Sequence, residues 1–200
     1  MSITPALSDG DFSAPAFYMD WAEHHDQGPL PDTSLPWGVT AAGAVYQLTN
    51  ADVQIDISAG RQLSVSRSRT HLFEGSLPSG ESVLLGDNVV DRPPVLLRFR
   101  KPLRSVGARV SGSATAVGVP YWAQCQLLLS DGRWYPVPSR KAVLDSSRAD
   151  APFMGATANP GRTIRAAWFD ILNLSTPDDT GTLPAARFLQ VAIGDLYFVP

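Results

Sequence analysis

The sequence predicts an all-β protein: an antiparallel two-sheet β-sandwich, jelly-roll-like, with a short N-terminal helix or irregular arm. Three observations predict it. Seventeen prolines and sixteen glycines cut the 200 residues into short pieces. Between them apolar residues recur at every second position, the period of a strand with one face in a core and one in water. Although 44% of the residues are hydrophobic, they fall in short runs, and no membrane-length block is present, so membrane insertion is not expected. About eight to ten strands follow from runs of this length and spacing. A chain of 200 residues is long enough for a core of its own and short enough to be one domain. Residues 1–40 are expected to form an irregular arm packed on a sandwich spanning residues 41–200.

Taken in order, the arm holds the one stretch with helical features. Ser13 can cap it, Pro15 suits a first turn, Phe17, Trp21 and Ala22 would line one side, and Gly28 could end it. A strand through Phe17 to Trp21 is the competing reading. Val53, Ile55 and Ile57 then alternate with Asp52, Gln54 and Asp56, and the run from Gly60 to Ser68 continues in the same style. A turn near Gly60-Arg61 is expected to join the two as a hairpin. The more apolar runs SVLLG, PVLLRFR and SVGARVSG read as central strands, with Val95, Leu97 and Phe99 opposed to Leu96, Arg98 and Arg100. In YWAQCQLLL, Tyr121, Ala123, Cys125, Leu127 and Leu129 are in phase, which puts Trp122 on the other face. Asp131-Gly132 is a tight hairpin turn into Arg133-Trp134-Tyr135. IRAAWFDIL and RFLQVAIGDLYFV close the set.

Composition excludes several functions. A formal charge of -3 and a pI near 5.5 give no general attraction for nucleic acid. The single cysteine, Cys125, allows neither an internal disulfide nor a multi-thiolate zinc site, and in its apolar run it reads as a small buried hydrophobe. MSITPALSDGDFSAP lacks the basic and then apolar organisation of a secretory signal. No nucleophile elbow, phosphate-binding loop or dinucleotide fingerprint is present.

Three segments in order, FYMDWAEHHDQGP, PVLLRFRKPLRSVGARVSG, and the pair PFMGATANPGRTIRAAWFDI and FLQVAIGDLYFV, carry a resemblance. Together they resemble bacterial surface and secreted β-sandwich proteins of the PEP-CTERM-associated type, whose signatures are shared with jelly-roll and galactose-binding-like sandwiches. The resemblance implies an extracellular or cell-surface, non-catalytic sandwich that binds glycans. The closing strand departs from the pattern: it reads Ile193-Gly194-Asp195-Leu196, with its acidic residue one place late.

Candidate site residues are aromatic and acidic. Tryptophan beside a polar donor can stack on the apolar C–H face of a sugar ring while its neighbours bond the hydroxyls. Trp37 in a proline-rich loop, Trp122, and Trp134 with Arg133 at the turn form the candidate ligand platform, against a packing role for each. Asp87 with Asn88 and Asp91, Asp178-Asp179 and Asp195 are loop acids, and Asp87, Asp91 and Asp195 are the candidate ligands of a structural calcium ion. The alternative for them is solvated turns. His24 and His25, near Asp20, Glu23 and Asp26, and the pair His71 and Glu74 lack metal-site spacing.

Three functional readings follow. The first is a binding module for a carbohydrate or other surface polymer. The second is a structural protein that assembles into homo-oligomers through its sandwich and arm. The third is a hydrolase built on carboxylates distant in sequence.

Overall fold

The computed structural model describes residues 2–12, 16–19, 21, 35–36, 45–47, 53–56, 63–67, 77, 82–87, 95–114, 118–144, 150–173 and 188–200. These form a nearly all-β sandwich of two antiparallel sheets, as the alternation predicts. The first sheet contains β1 (Ile3–Ala6), β2 (Phe17–Met19), β3 (Leu35–Pro36), β6 (Leu63–Arg67), β7 (Ser82–Asp87), β9 (Ser105–Ala114), β12 (Phe153–Ala158) and β14 (Phe188–Val199). Its order is β1-β12-β9-β14-β7-β6-β3, with β2 also paired to β14. The second sheet has the order β11-β10-β13-β8-β5-β4. Its strands are β4 (Val45–Gln47), β5 (Val53–Asp56), β8 (Val95–Leu103), β10 (Pro120–Leu129), β11 (Trp134–Val143) and β13 (Ile164–Asn173).

The inward phase of each strand builds the core. Val95, Leu97 and Phe99 of β8, Ala123, Cys125, Leu127 and Leu129 of β10, and Ala167, Phe169 and Ile171 of β13 face Val106, Ala108 and Val110 of β9 and Met154 and Ala156 of β12 in one buried cluster. Tyr121 joins them, its hydroxyl donating to the Val110 carbonyl at 3.3 Å. Removing that phenol from water pushes its pKa up to about 12. Burial likewise pushes the Cys125 thiol well above its ordinary range, so the cysteine is an inert part of the core.

Within residues 1–40, residues 3–6, 17–19 and 35–36 are strands of the first sheet, and Asp9–Asp11 form a turn of 3-10 helix. Two expectations are corrected. The helix expected through Phe17 gives way to its rival, β2, because β14 offers an open partner and Met19, Tyr18 and Phe17 pair with Leu196, Tyr197 and Phe198. Finally, β5 and β6 do not form a hairpin. β5 pairs with β4 and β8 in one sheet, while β6 pairs with β3 and β7 in the other. Alternation marks both as strands, yet it is silent on which sheet each one joins.

The outer face of the first sheet is covered by the chain itself. Gly107 and Gly155 lie side by side there, and a Cβ on Gly107 would stand 2.6 Å from the Phe153 ring, which fills the space the two glycines leave. Phe12 from the N-terminal segment meets Phe153 at 5.9 Å between ring centroids, and Tyr197 meets it at 6.0 Å. A second patch on this face buries Leu77 with Val83, Leu85, Ala151 and Ala192.

Candidate functional site

The outer face of the second sheet is different in kind. Every second residue of β10 from Pro120 to Leu128 is half-buried between fully buried neighbours, so Trp122, Gln124, Gln126 and Leu128 point away from the core. In antiparallel pairs, residues directly opposite share a face. Trp122 stands opposite Leu172 on one side and Lys141 on the other; Gln124 is opposite Asp170; Gln126 lies between Trp168 and Pro136; Leu128 lies between Ala166 and Trp134. On β8, Leu96 and Arg98 continue the rungs of Trp168 and Ala166. Three tryptophans therefore share one sheet face with two glutamines and a carboxylate between them.

Strand geometry sets the spacing. The rung of Trp122 and that of Gln126 and Trp168 are four residues apart, so the two indoles are anchored about 14 Å apart at ~3.3 Å per residue and ~4.8 Å per strand. Trp134 and Trp168 are anchored about 12 Å apart by the same reckoning. Trp134 is 40% exposed and Leu172 53%, while Trp122 and Trp168 are half-buried. Asp170, between the tryptophan rungs, accepts the Ile171 N–H at 2.9 Å. Exposed Lys141 and Arg98 flank the patch at opposite corners.

The turn that carries Trp134 is held rigidly. Its loop has three residues rather than the expected two: Leu129 accepts the Gly132 N–H at 2.9 Å and donates to the Arg133 carbonyl at 3.0 Å, and Gly132 takes φ +78°. Glycine suits that position because a left-handed residue closes such a loop at no steric cost. Asp131 accepts from the Tyr135 hydroxyl at 2.6 Å and the Arg133 N–H at 3.1 Å, and forms an ion pair with Arg162. Arg162 also donates to the Tyr135 hydroxyl at 2.7 Å and lies 5.6 Å from that ring's centre. The Tyr135 hydroxyl first, then the Arg133 N–H and the Arg162 charge, hold the Asp131 carboxyl below its usual range. Tyr135 is turned inward by these bonds, and Trp134, next along the strand, is turned out.

Arg162 reaches the turn from a second one. Asn159-Pro160-Gly161-Arg162 is a type II turn: the Arg162 N–H donates to Asn159 at 3.1 Å and Gly161 has φ +83°.

The expected site residues separate into groups. Trp122, Arg133 and Trp134 are described, with Trp122 and Trp134 on the open face and Arg133 exposed at the turn. Trp37, Asp91, Asn88, Asp178, Asp179, His24, His25, His71 and Glu74, with the acids Asp20, Glu23 and Asp26, lie outside the described residues. Of the expected calcium ligands, Asp87 ends β7, where its backbone pairs with Gln190, and Asp195 lies five residues further along β14. Among the described residues no three His, Cys, Asp or Glu side chains gather as a metal site would need.

Gly194 and Asp195 together oppose the single residue Arg109 in a bulge, since the pairing with β9 passes from Ile193↔Val110 to Leu196↔Ala108. At the bulge the fully buried Trp21 donates its indole N–H to the Gly194 carbonyl at 2.7 Å.

Sequence reasoning missed Trp168, Gln124, Gln126 and Asp170. The signal was available for the first and last: in IRAAWFDIL, Trp168 and Asp170 share the phase opposite to Ala167, Phe169 and Ile171. Away from this face, a cleft of about 300 Å³ runs between the edge strands β1 and β11, lined by Ser2, Ile3, Pro5, Tyr135, Pro136 and Pro138.

No family model matches the chain, and no curated protein matches it. Among solved structures, a DUF4465 family protein from Bacteroides ovatus is similar at 12% sequence identity, over 98% of this chain and 99% of that one, with a TM-score of 0.38.

Proposed function

We propose that the protein is a non-catalytic carbohydrate-binding module whose ligand lies on the outer face of the second sheet. One observation carries this reading: Trp122, Trp168 and Trp134 share an open sheet face with Gln124, Gln126 and Asp170 between them. A sugar presents apolar C–H faces and a ring of hydroxyls, so it needs aromatic surfaces and hydrogen-bonding groups in alternation. The bond network around Asp131 holds the Trp134 end of the platform in place, which lowers the ordering cost on binding.

The test is a broad glycan array probed with the purified chain and with Trp122→Ala and Trp168→Ala. The wild type is expected to bind a defined sugar family and each variant to lose it. Unchanged binding by both variants would remove the platform from consideration.

A second reading, in which two copies pack face to face, draws on Leu172 and Val143, 53% and 45% exposed on the same surface. Light scattering after size exclusion separates the two readings, because a dimer buried through this face would lose the Trp122 and Trp168 surfaces to its partner.

A further inference from the structure

Among the described residues, β1 ends one sheet and β11 ends the other, and the two strands flank a common cleft. The Arg140 guanidinium of β11 donates across to the Ala6 carbonyl of β1 at 3.3 Å. An end strand has a row of main-chain groups on its outer side, a template on which another chain can add a strand. With ten residues, β11 is long for such a strand.

Hydrogen bonds and register fix which groups face outward. The Leu129 N–H donates to the Arg133 carbonyl at 3.0 Å, and the ladder continues through Leu127↔Tyr135 and Cys125↔Val137. Main-chain groups alternate sides along a strand, so Arg133, Tyr135 and Val137 turn theirs toward β10, and Trp134, Pro136 and Pro138 turn theirs away. On β1 the Asn159 N–H donates to the Ser2 carbonyl at 3.1 Å, so Ser2, Thr4 and Ala6 turn toward β12, and Ile3 and Pro5 turn away. Three of these five outward positions are prolines.

We propose that Pro5, Pro136 and Pro138 keep this side of the sandwich closed to edge-to-edge pairing with a second copy of the chain. An added strand needs a donor at every second residue of the edge it joins. At these three positions the N–H is missing, and the ring stands where the incoming carbonyl would approach. The placing of proline in the other strands agrees. β3, which ends the first sheet on its other side, contains Pro36, and β4, which ends the second sheet on its other side, is three residues long. β6, β7, β9, β12, β13 and β14, each paired on both sides, contain no proline. Pro120 is the first residue of β10, and Pro102 lies in the stretch of β8 that the pairing with β13 skips.

The experiment compares the wild type with Pro136→Thr/Pro138→Thr by light scattering from about 10 μM to about 1 mM, with hydrogen exchange on the same samples. Threonine restores the N–H and suits a strand. The double variant should stay folded, because neither proline donates to β10, and it should associate at concentrations where the wild type does not. On association the amides of residues 134, 136 and 138 should gain protection. Adding Trp122→Ala should leave that association unchanged, which separates edge pairing from packing through the tryptophan face. A folded double variant that associates no more than the wild type would overturn the proposal, as would association without protection of those amides. If the double variant does not fold, Pro136→Thr and Pro138→Thr are taken singly, and each is judged by the same two readouts.

Discussion

The two outer faces of this sandwich make opposite uses of aromatic side chains. On the first sheet, Phe153 lies over two glycines and is covered by Phe12 and Tyr197, so its ring belongs to a second, smaller core. On the second sheet, Trp122 and Trp168 rise from β10 and β13 among Gln124, Gln126 and Asp170, and they remain half-exposed. The difference lies in what the neighbours supply. Phe153 is packed among Ala6, Phe12 and Val199, while the tryptophans stand beside the amides of Gln124 and Gln126 and the carboxylate of Asp170. One face carries aromatic residues packed into a second core; the other carries half-buried tryptophans among polar side chains.

Substitutions should therefore separate the faces by what they damage. The largest effect belongs to the arm: Trp21→Ala removes a fully buried indole and leaves the Gly194 carbonyl without its donor, for a loss of roughly 3–5 kcal/mol in denaturant unfolding. Phe153→Ala should follow at the lower end of the same range, roughly 3 kcal/mol, because its ring is 4% exposed but lies at the margin of the core. Gly107→Ala should cost about 1–3 kcal/mol through collision with Phe153 and Gly155.

A smaller effect is expected at the β10-β11 turn. The Asp131 carboxyl is held below its ordinary value of 3.8, so its contribution to stability is complete above that pH and is lost as pH falls through the lowered value. Asp131→Asn should remove that acid-side loss when melting temperature is followed from about pH 6 to about pH 2. The smallest effects on stability belong to Trp122→Ala and Trp168→Ala, under about 1 kcal/mol each, although they should abolish sugar binding. If either proved as destabilising as Phe153→Ala, the contrast between the faces would collapse.

Much of this was legible in the sequence, and the failures share one cause. The phase of β10 could be read directly, because each residue's side is set by the residues next to it, and Trp122 was placed outward on that basis. The turn at Gly132 was equally local, apart from its length. What could not be read was pairing. β2 exists because β14 receives it, and no pattern within residues 17–19 names a partner near residue 197. β5 and β6, close in sequence, part company for the same reason. Among site residues, the outward phase of Trp168 is readable in IRAAWFDIL. Its role depends on which strand lies beside β10, and only the register reveals that.

The bond between Trp21 and Gly194 spans 173 residues of sequence, and β1 likewise waits for β12. Contacts of such long range must meet the entropy of closing their loops before they contribute, so folding should be slow for a domain of this size. During synthesis, at about 5–20 residues per second, Trp21 has to remain unburied for roughly ten to thirty seconds before its acceptor is made. The last strand to emerge therefore decides whether β2 and Trp21 are ever sheltered.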